Sequence, residues 1–206
     1  MVSMVRAYVC GFAVAAVTAC GSTPSADRGE GPCGSPTSRQ SQLSTVETIQ
    51  VDADERVVAE SLEDLADESE IVVVGRVLRA QDAELIADSE DGKGVQMEHL
   101  TVEVESVLDG DGDLASSGEV TVRQAGRDHG RVPRTNGLLP AQVGQCAVLF
   151  LDKTSRERVL TITSTQGQFV VDDEGQLHGA DAHGPGAEVV RKIEGMTVEE
   201  LRAALG

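Results

Sequence analysis

Residues 71–79 read IVVVGRVLR: five β-branched side chains around one glycine, bounded by polar sequence. β-Branched side chains are stiff at χ1, which disfavours a helix and suits a pleated strand. A glycine inside such a run marks a bulge or a tight bend, the device a small closed barrel needs. The rest of the chain supplies partners for this strand. Residues 95–108 form a long strand candidate, in which 101–105 alternate strictly with the valines facing inward. Residues 119–123 alternate again, and 146–151 (CAVLFL) read as a strand buried on both faces. Residues 159–165 and 168–171 complete the set, with a hairpin loop over 88–94, a turn at 109–113 and a loop of about 20 residues over 125–144. This series predicts a mainly β chain: a small closed β-barrel of five or six strands.

Two helices flank the strands. Ser61 precedes Leu62, Glu63 and Asp64, so its hydroxyl can cap a short helix ending near residue 69 whose acids complement the dipole. Thr197 and Glu200 fit a capping box, with Met196 and Leu201 as a hydrophobic staple, which predicts a C-terminal helix docked on the sheet. Val46, Ile49 and Val51 could add an edge strand before the barrel.

The N-terminus carries an address. Arg6 is the only charge before an apolar run over 7–17, too short to span a bilayer of ~30 Å. Val17-Thr18-Ala19-Cys20 then leads into a segment rich in Gly, Ser, Thr and Pro. This resembles the lipobox of bacterial lipoproteins; the plainer alternatives are an ordinary signal peptide or a buried N-terminal helix. The resemblance implies a diacylglycerol on the Cys20 thiol, cleavage between Ala19 and Cys20, and usually acylation of the new amino terminus. Two or three acyl chains give stable anchoring without a span. The expected organisation is a signal peptide over 1–19, a flexible tether over 20–56 and the barrel domain over 57–206. Arg outnumbers Lys by 14 to 3, which suggests a GC-rich bacterial genome and an anchor in the outer leaflet of the cell membrane, on the extracytoplasmic face.

The ordered elements also resemble the netrin-like fold, the OB barrel of tissue inhibitors of metalloproteinases and of secreted bacterial relatives. The residues that carry the resemblance are 71–77, 100–110, 119–123 and 143–151. It implies a closed barrel and, as one alternative role, an inhibitor or accessory subunit of an extracytoplasmic protease or other enzyme. In the inhibitors a free N-terminal cysteine chelates the protease metal. Here the corresponding cysteine is expected to be acylated, so no inhibitory residue carries over.

Charge and aromatic content exclude several ligands. The formal net charge is −18, opposite to what binding a phosphate backbone requires. Loss of residues 1–19 would remove Tyr8 and Phe12, leaving Phe150 and Phe169 as the only aromatics. OB barrels that bind oligonucleotides or sugars do so with stacking platforms, so neither nucleic acid nor carbohydrate is expected. The partner expected is a protein, of unknown identity.

No catalytic set is legible. There is no Gly-x-Ser-x-Gly elbow, no H-E-x-x-H and no phosphate-cradling glycine loop, so the chain reads as a non-catalytic interaction module. Asp109, Asp111 and Asp113 begin like a calcium loop, but Leu114 stands where glycine is required and Glu119 comes one place early, so a turn is expected. His178, Asp181 and His183 lie in a glycine-rich stretch whose spacing fixes no metal geometry; neither a metal nor a cofactor is expected. Cys33 and Cys146 are either bonded across the tether or two free thiols, with Cys146 as plain core; the free thiols are preferred because Cys33 falls in the tether. Arg123, Arg127, Arg131 and Arg134 form the densest basic group, beside Asp128, His129 and Asn136. Of these, Arg127, Arg131 and Arg134 mark the 125–144 loop as an interaction surface.

Overall fold

The computed structural model describes residue 33 and residues 47–51, 57–87, 94–127, 130–156, 158–180 and 186–206. Ala19, Cys20, most of the tether, the hairpin tip over 88–93, Asp128, His129, Asp181 and His183 lie outside the described residues.

The β-branched run around Gly75 opens β2 (Ile71–Ala87), which is longer than the sequence pattern suggested. It pairs antiparallel with β3 (Gly94–Gly110) along its whole length. Further strands are β4 (Glu119–Ala125), β5 (Val132–Thr135), β6 (Cys146–Lys153), β7 (Val159–Ile162), β8 (Gln168–Val171) and β9 (Leu177–His178). β1 (Thr48–Val51) lies in the segment assigned to the tether, and it pairs parallel with β5. The main sheet runs β2-β3-β4-β7-β6-β8-β9, and β2 also pairs with β6. That extra pairing closes a ring of five strands, β2-β3-β4-β7-β6. β4 and β7 are parallel and every other neighbouring pair in the ring is antiparallel. The fold is therefore mainly β, an OB-like barrel with short helices.

Bulges make the closure possible. The β2–β3 register shifts at Val72/Val73, Val74/Gly75, Val77/Arg79 and Asp82/Leu85. Each shift bends the strand, so its first six residues also pair with β6 while it stays paired to β3. At Gly75 a Cβ would collide with the Glu103 carbonyl oxygen and come within 2.7 Å of Val102 Cγ1. Gly75→Ala is expected to cost about 1–3 kcal/mol, as overpacking does. Urea unfolding checks this, and an unchanged midpoint would contradict the close approach.

Two cores share the β2 and β6 strands. Ile71, Val73, Val77, Ala147, Leu149 and Leu151 face the barrel interior with Leu100, Val102, Val120, Val122 and Leu160. The alternate residues Val72, Val74, Cys146, Val148 and Phe150 face an outer layer. That layer is built from α1 (Leu62–Asp67), α2 (Ala187–Ile193) and α3 (Val198–Leu205), together with Phe169 and Leu177. Both strands read as uniformly apolar for this reason. The Ser61 hydroxyl accepts from Asp64 N–H, and the Thr197–Glu200 capping box is fully formed. α2 was not expected from the glycine-rich sequence before it. Phe150 and Phe169 are fully buried and meet edge to face, ring centroids 6.2 Å apart.

Cys33 and Cys146 are joined by a disulfide, Cα atoms 5.8 Å apart. Both sulfurs lie in the outer core. The preference for two free thiols is therefore corrected: Cys33 is held against the barrel rather than standing off in a tether. The extracytoplasmic compartment expected from the N-terminus permits such a bond.

Candidate functional site

Beyond the last β3–β4 pair, Met97 with Ala125, β2 and β3 run on as a two-stranded arm over Leu85–Ala87 and Gly94–Gln96. The sequence pattern gives no strand over 80–87, because a ribbon outside the barrel needs no buried face, whereas residues from 95 onward belong to the expected strand 95–108. The apolar residues of the arm are exposed: Leu85 at 58%, Val95 at 46% and Ile86 at 42%. Ile86 and Val95 are cross-strand partners, while Leu85, the next residue along, points to the other face. Where the arm joins the barrel, Glu84 pairs with Arg156 at 2.9 Å and with Arg123 at 3.3 Å. Arg156 lies between β6 and β7, so this pair ties the arm to that loop.

Residues 130–145 are not a loose loop. β5 lies within it, held to β1 by parallel pairing. Val132 N–H donates to the Glu47 carbonyl at 2.9 Å, and Asn136 N–H to the Val51 carbonyl at 3.1 Å. Gln124, 7% exposed, grips both backbone groups of Ala141: its Nε2 donates to Ala141 O at 2.9 Å, and its Oε1 accepts from Ala141 N–H at 3.0 Å. Gln168 Nε2 donates to Leu139 O at 2.9 Å, and Arg76 Nη1 to Gly144 O at 3.1 Å. Gln124 Nε2 also donates to Glu98 Oε1 at 2.5 Å. Burial raises the Glu98 carboxyl above its ordinary value, which that hydrogen bond partly offsets.

Between this segment and the barrel lies a cavity of about 240 Å³. Strand alternation builds its barrel wall: Val120 and Val122 point inward, so Arg123 and Ala125 face out. Met97 stands opposite Ala125, and His99 and Thr161 stand opposite Arg123. Pro133, Leu138 and Pro140 supply the other wall. Arg123 Nε and Gln168 Oε1, on two of the lining residues, and His99 Nε2, on the cross-strand neighbour of Arg123, are closed off from solvent and have no hydrogen-bond partner among the described residues. The Arg123–Glu84 contact is thus a charge pairing without a hydrogen bond from Nε.

The three basic residues expected to mark an interaction surface lie on or just before this segment. Arg127 follows β4, exposed, with its Nη1 3.4 Å from Gly130 O. Arg131 precedes β5, and Arg134 lies within it, opposite Gln50. Both are half-buried. At Asp111 the carboxylate caps its own turn, accepting from Asp113 N–H at 3.1 Å. Among the described residues there is no group of three or more His, Cys, Asp or Glu that could hold a metal.

His178 is clamped elsewhere, in the outer layer. Its Nδ1 lies 2.8 Å from Glu194 and its Nε2 2.8 Å from Asp172. Both carboxylates accept, so the doubly protonated ring fits. The hydrogen bond to Asp172, then that to Glu194, raises the His178 pKa above its ordinary 6.5. Burial would raise Asp172, but hydrogen bonds from His178 and the backbone outweigh it and hold the carboxyl below its ordinary value. The His178 contribution is thus complete below pH 6.5 and is lost as pH rises through the elevated folded value. Its side chain is 44% exposed, so the expected effect is at most about 1 kcal/mol. Urea unfolding across this window should show stability falling with pH, and His178→Gln should flatten that slope.

No family model, curated protein or solved structure matches the chain.

Proposed function

We propose that the chain is a lipid-anchored lipoprotein on the extracytoplasmic face of a cell membrane, and that its barrel is a non-catalytic module that binds a protein partner. The observation that carries the binding role is the arm, whose Leu85, Ile86 and Val95 are exposed on two faces of one ribbon. Ile86 and Val95, paired across the two strands, set exposed apolar side chains next to each other, a feature of interaction sites. The pinned 130–145 segment supports the same reading, because a surface held in place before binding loses little entropy when it binds. The net charge of −18 and the burial of both Phe150 and Phe169 speak for a protein partner over nucleic acid or carbohydrate.

The lipobox-like Val17-Thr18-Ala19-Cys20 supports the anchor, and no helix among the described residues is long and apolar enough to cross a membrane. Cys20→Ala is expected to abolish lipid labelling and move the protein from the membrane fraction to the medium or periplasm; retention on the membrane would refute the anchor. For the binding role, surface crosslinking on intact cells should capture one predominant partner. An Ile86→Ser/Val95→Ser variant should fold normally, with an unchanged unfolding midpoint, and lose that adduct. Undiminished capture would refute the arm as the docking element.

A further inference from the structure

We infer that Glu84 is an ionic strap that fixes the angle of the arm, over a hinge built into β2 at Ala83 and Glu84. The strap serves the arm as docking element, on the reading proposed above.

The hinge follows from the register. Asp82 stands opposite Glu98 and Leu85 opposite Gln96, so Ala83 and Glu84 together face the single residue Met97. Two residues against one make a bulge, which interrupts the ladder and bends the strand. The interruption falls where support from the barrel ends. Met97 is the last residue of β3 paired with β4, and β6 pairs with β2 only as far as Arg76. Gln96 keeps the two strands together at this point: its Nε2 donates to Ala83 O at 2.9 Å and to Met97 O at 3.0 Å. A swing at the bulge therefore moves the ribbon as one body. Leu85, Ile86 and Val95 are exposed, so apolar packing does not hold the ribbon in place.

Charge does. Glu84 lies on β2, and β3 separates that strand from β4. Its carboxylate reaches over a whole strand, about 10 Å between strands two apart, to guanidinium groups on parts of the barrel that do not belong to the arm. Oε1 lies 3.3 Å from Arg123 Nε, and Oε2 lies 2.9 Å from Arg156 Nη1. Arg123 is a residue of the ring, opposite His99 and Thr161. Arg156 is set in a closed turn: its N–H donates to Thr154 Oγ1 at 3.1 Å, and its carbonyl accepts from Val159 N–H at 3.3 Å. The Glu84 and Arg123 side chains are only 27% and 23% exposed, so salt screens this contact less than one on open surface.

N–H residual dipolar couplings of the full chain in a stretched gel test this. Leu85, Ile86 and Val95 report on the arm, and Val102 and Val148 on the ring. At low salt the couplings of arm and ring should fit one alignment. Glu84→Gln removes the charge and keeps the volume. An exposed charge pair shifts such an equilibrium by about two- to fivefold, so the arm couplings should shrink by about a third, while those of the ring stay. Arg156→Gln should act alike. Salt at about 1 M, where the screening length is ~3 Å, should shrink the arm couplings of the unsubstituted protein and change those of Glu84→Gln little further. NOEs between Ile86 and Val95 should persist throughout, which marks a swing and not fraying. The salt titration of the unsubstituted protein stands even where a variant fails to fold. Unchanged arm couplings in both variants, equal shrinkage in the ring, loss of the Ile86–Val95 NOEs, or an equal salt effect with and without Glu84 would each overturn the strap. Arm orientation and partner capture are separate measurements, so the strap and the docking role can fail independently.

Discussion

Replacing Cys33 and Cys146 together by serine is expected to lower the unfolding free energy by about 4–5 kcal/mol. The two residues are 113 apart in sequence, and in the chain-entropy account a loop of roughly this length restrains the unfolded chain by that amount. The burial of both residues adds to the effect. Cys33 is 8% and Cys146 7% exposed, in a core shared with Leu65, Phe150 and Leu201, and serine would place hydroxyls there without assured partners. Urea unfolding of the native protein with and without reductant, beside the double variant, checks this. Reduced protein and the variant should both lose most of the difference, and a loss under about 1 kcal/mol would contradict it.

Gln166→Leu is expected to cost about 3–5 kcal/mol although it keeps much of the side chain's volume. Gln166 is 3% exposed. Its Oε1 accepts from Ala59 N–H at 2.9 Å, and its Nε2 donates to Ala59 O and Gly186 O, each at 3.0 Å. Leucine would leave the N–H and the carbonyl of Ala59 without these bonds, each orphan costing about 1–3 kcal/mol and the pair adding less than fully, while the Gly186 carbonyl keeps its bond from Val189 N–H. Ala59 precedes α1 and Gly186 is the N-cap of α2, so this amide holds two pieces of the outer layer to the turn before β8. Thermal unfolding should drop by about 10 °C or more, given roughly 2–4 °C per kcal/mol at this size. Hydrogen exchange at Ala59 N–H should accelerate even under conditions where the variant remains folded. A protected Ala59 amide would contradict the assignment.

The parts of the fold legible in the sequence are those set by local chemistry. The hydroxyls of Ser61 and Thr197 declare helix starts through their own backbones, and the alternation over 119–123 fixes which side of β4 faces in. Gly75 announces a bend, although only the structure shows the Glu103 carbonyl that excludes a side chain. What stayed hidden depends on distant partners. The 71–79 run reads as a β-branched strand and the 146–151 run as one buried on both faces, but nothing local says that they pair with each other and close the ring. The extension of β2 to Ala87 left no apolar period because both faces of the arm meet solvent. α2 carries a usable signal in Ala187, Val189, Val190 and Ile193, masked by the glycines before it. β1 finds its parallel partner some eighty residues later, at Val132–Thr135. The candidate site was the least legible of all. A glutamine in a sequence does not disclose which backbone it will grip, and Gln124, Gln166 and Gln168 matter only through Ala141, Ala59, Gly186 and Leu139.

The disulfide also sets a distance. If Cys20 bears the lipid, as proposed, the path from the membrane to the first point fixed on the barrel is the thirteen residues from Cys20 to Cys33. A fully extended chain spans at most ~3.6 Å per residue, so that leash reaches no farther than about 47 Å. With the bond reduced, the next described residues held to the body are those from Glu47 into β1, and measured to Glu47 the limit roughly doubles. On that reading the bond holds the Cys146 end of β6 within the shorter distance of the lipid surface, and reduction relaxes the limit.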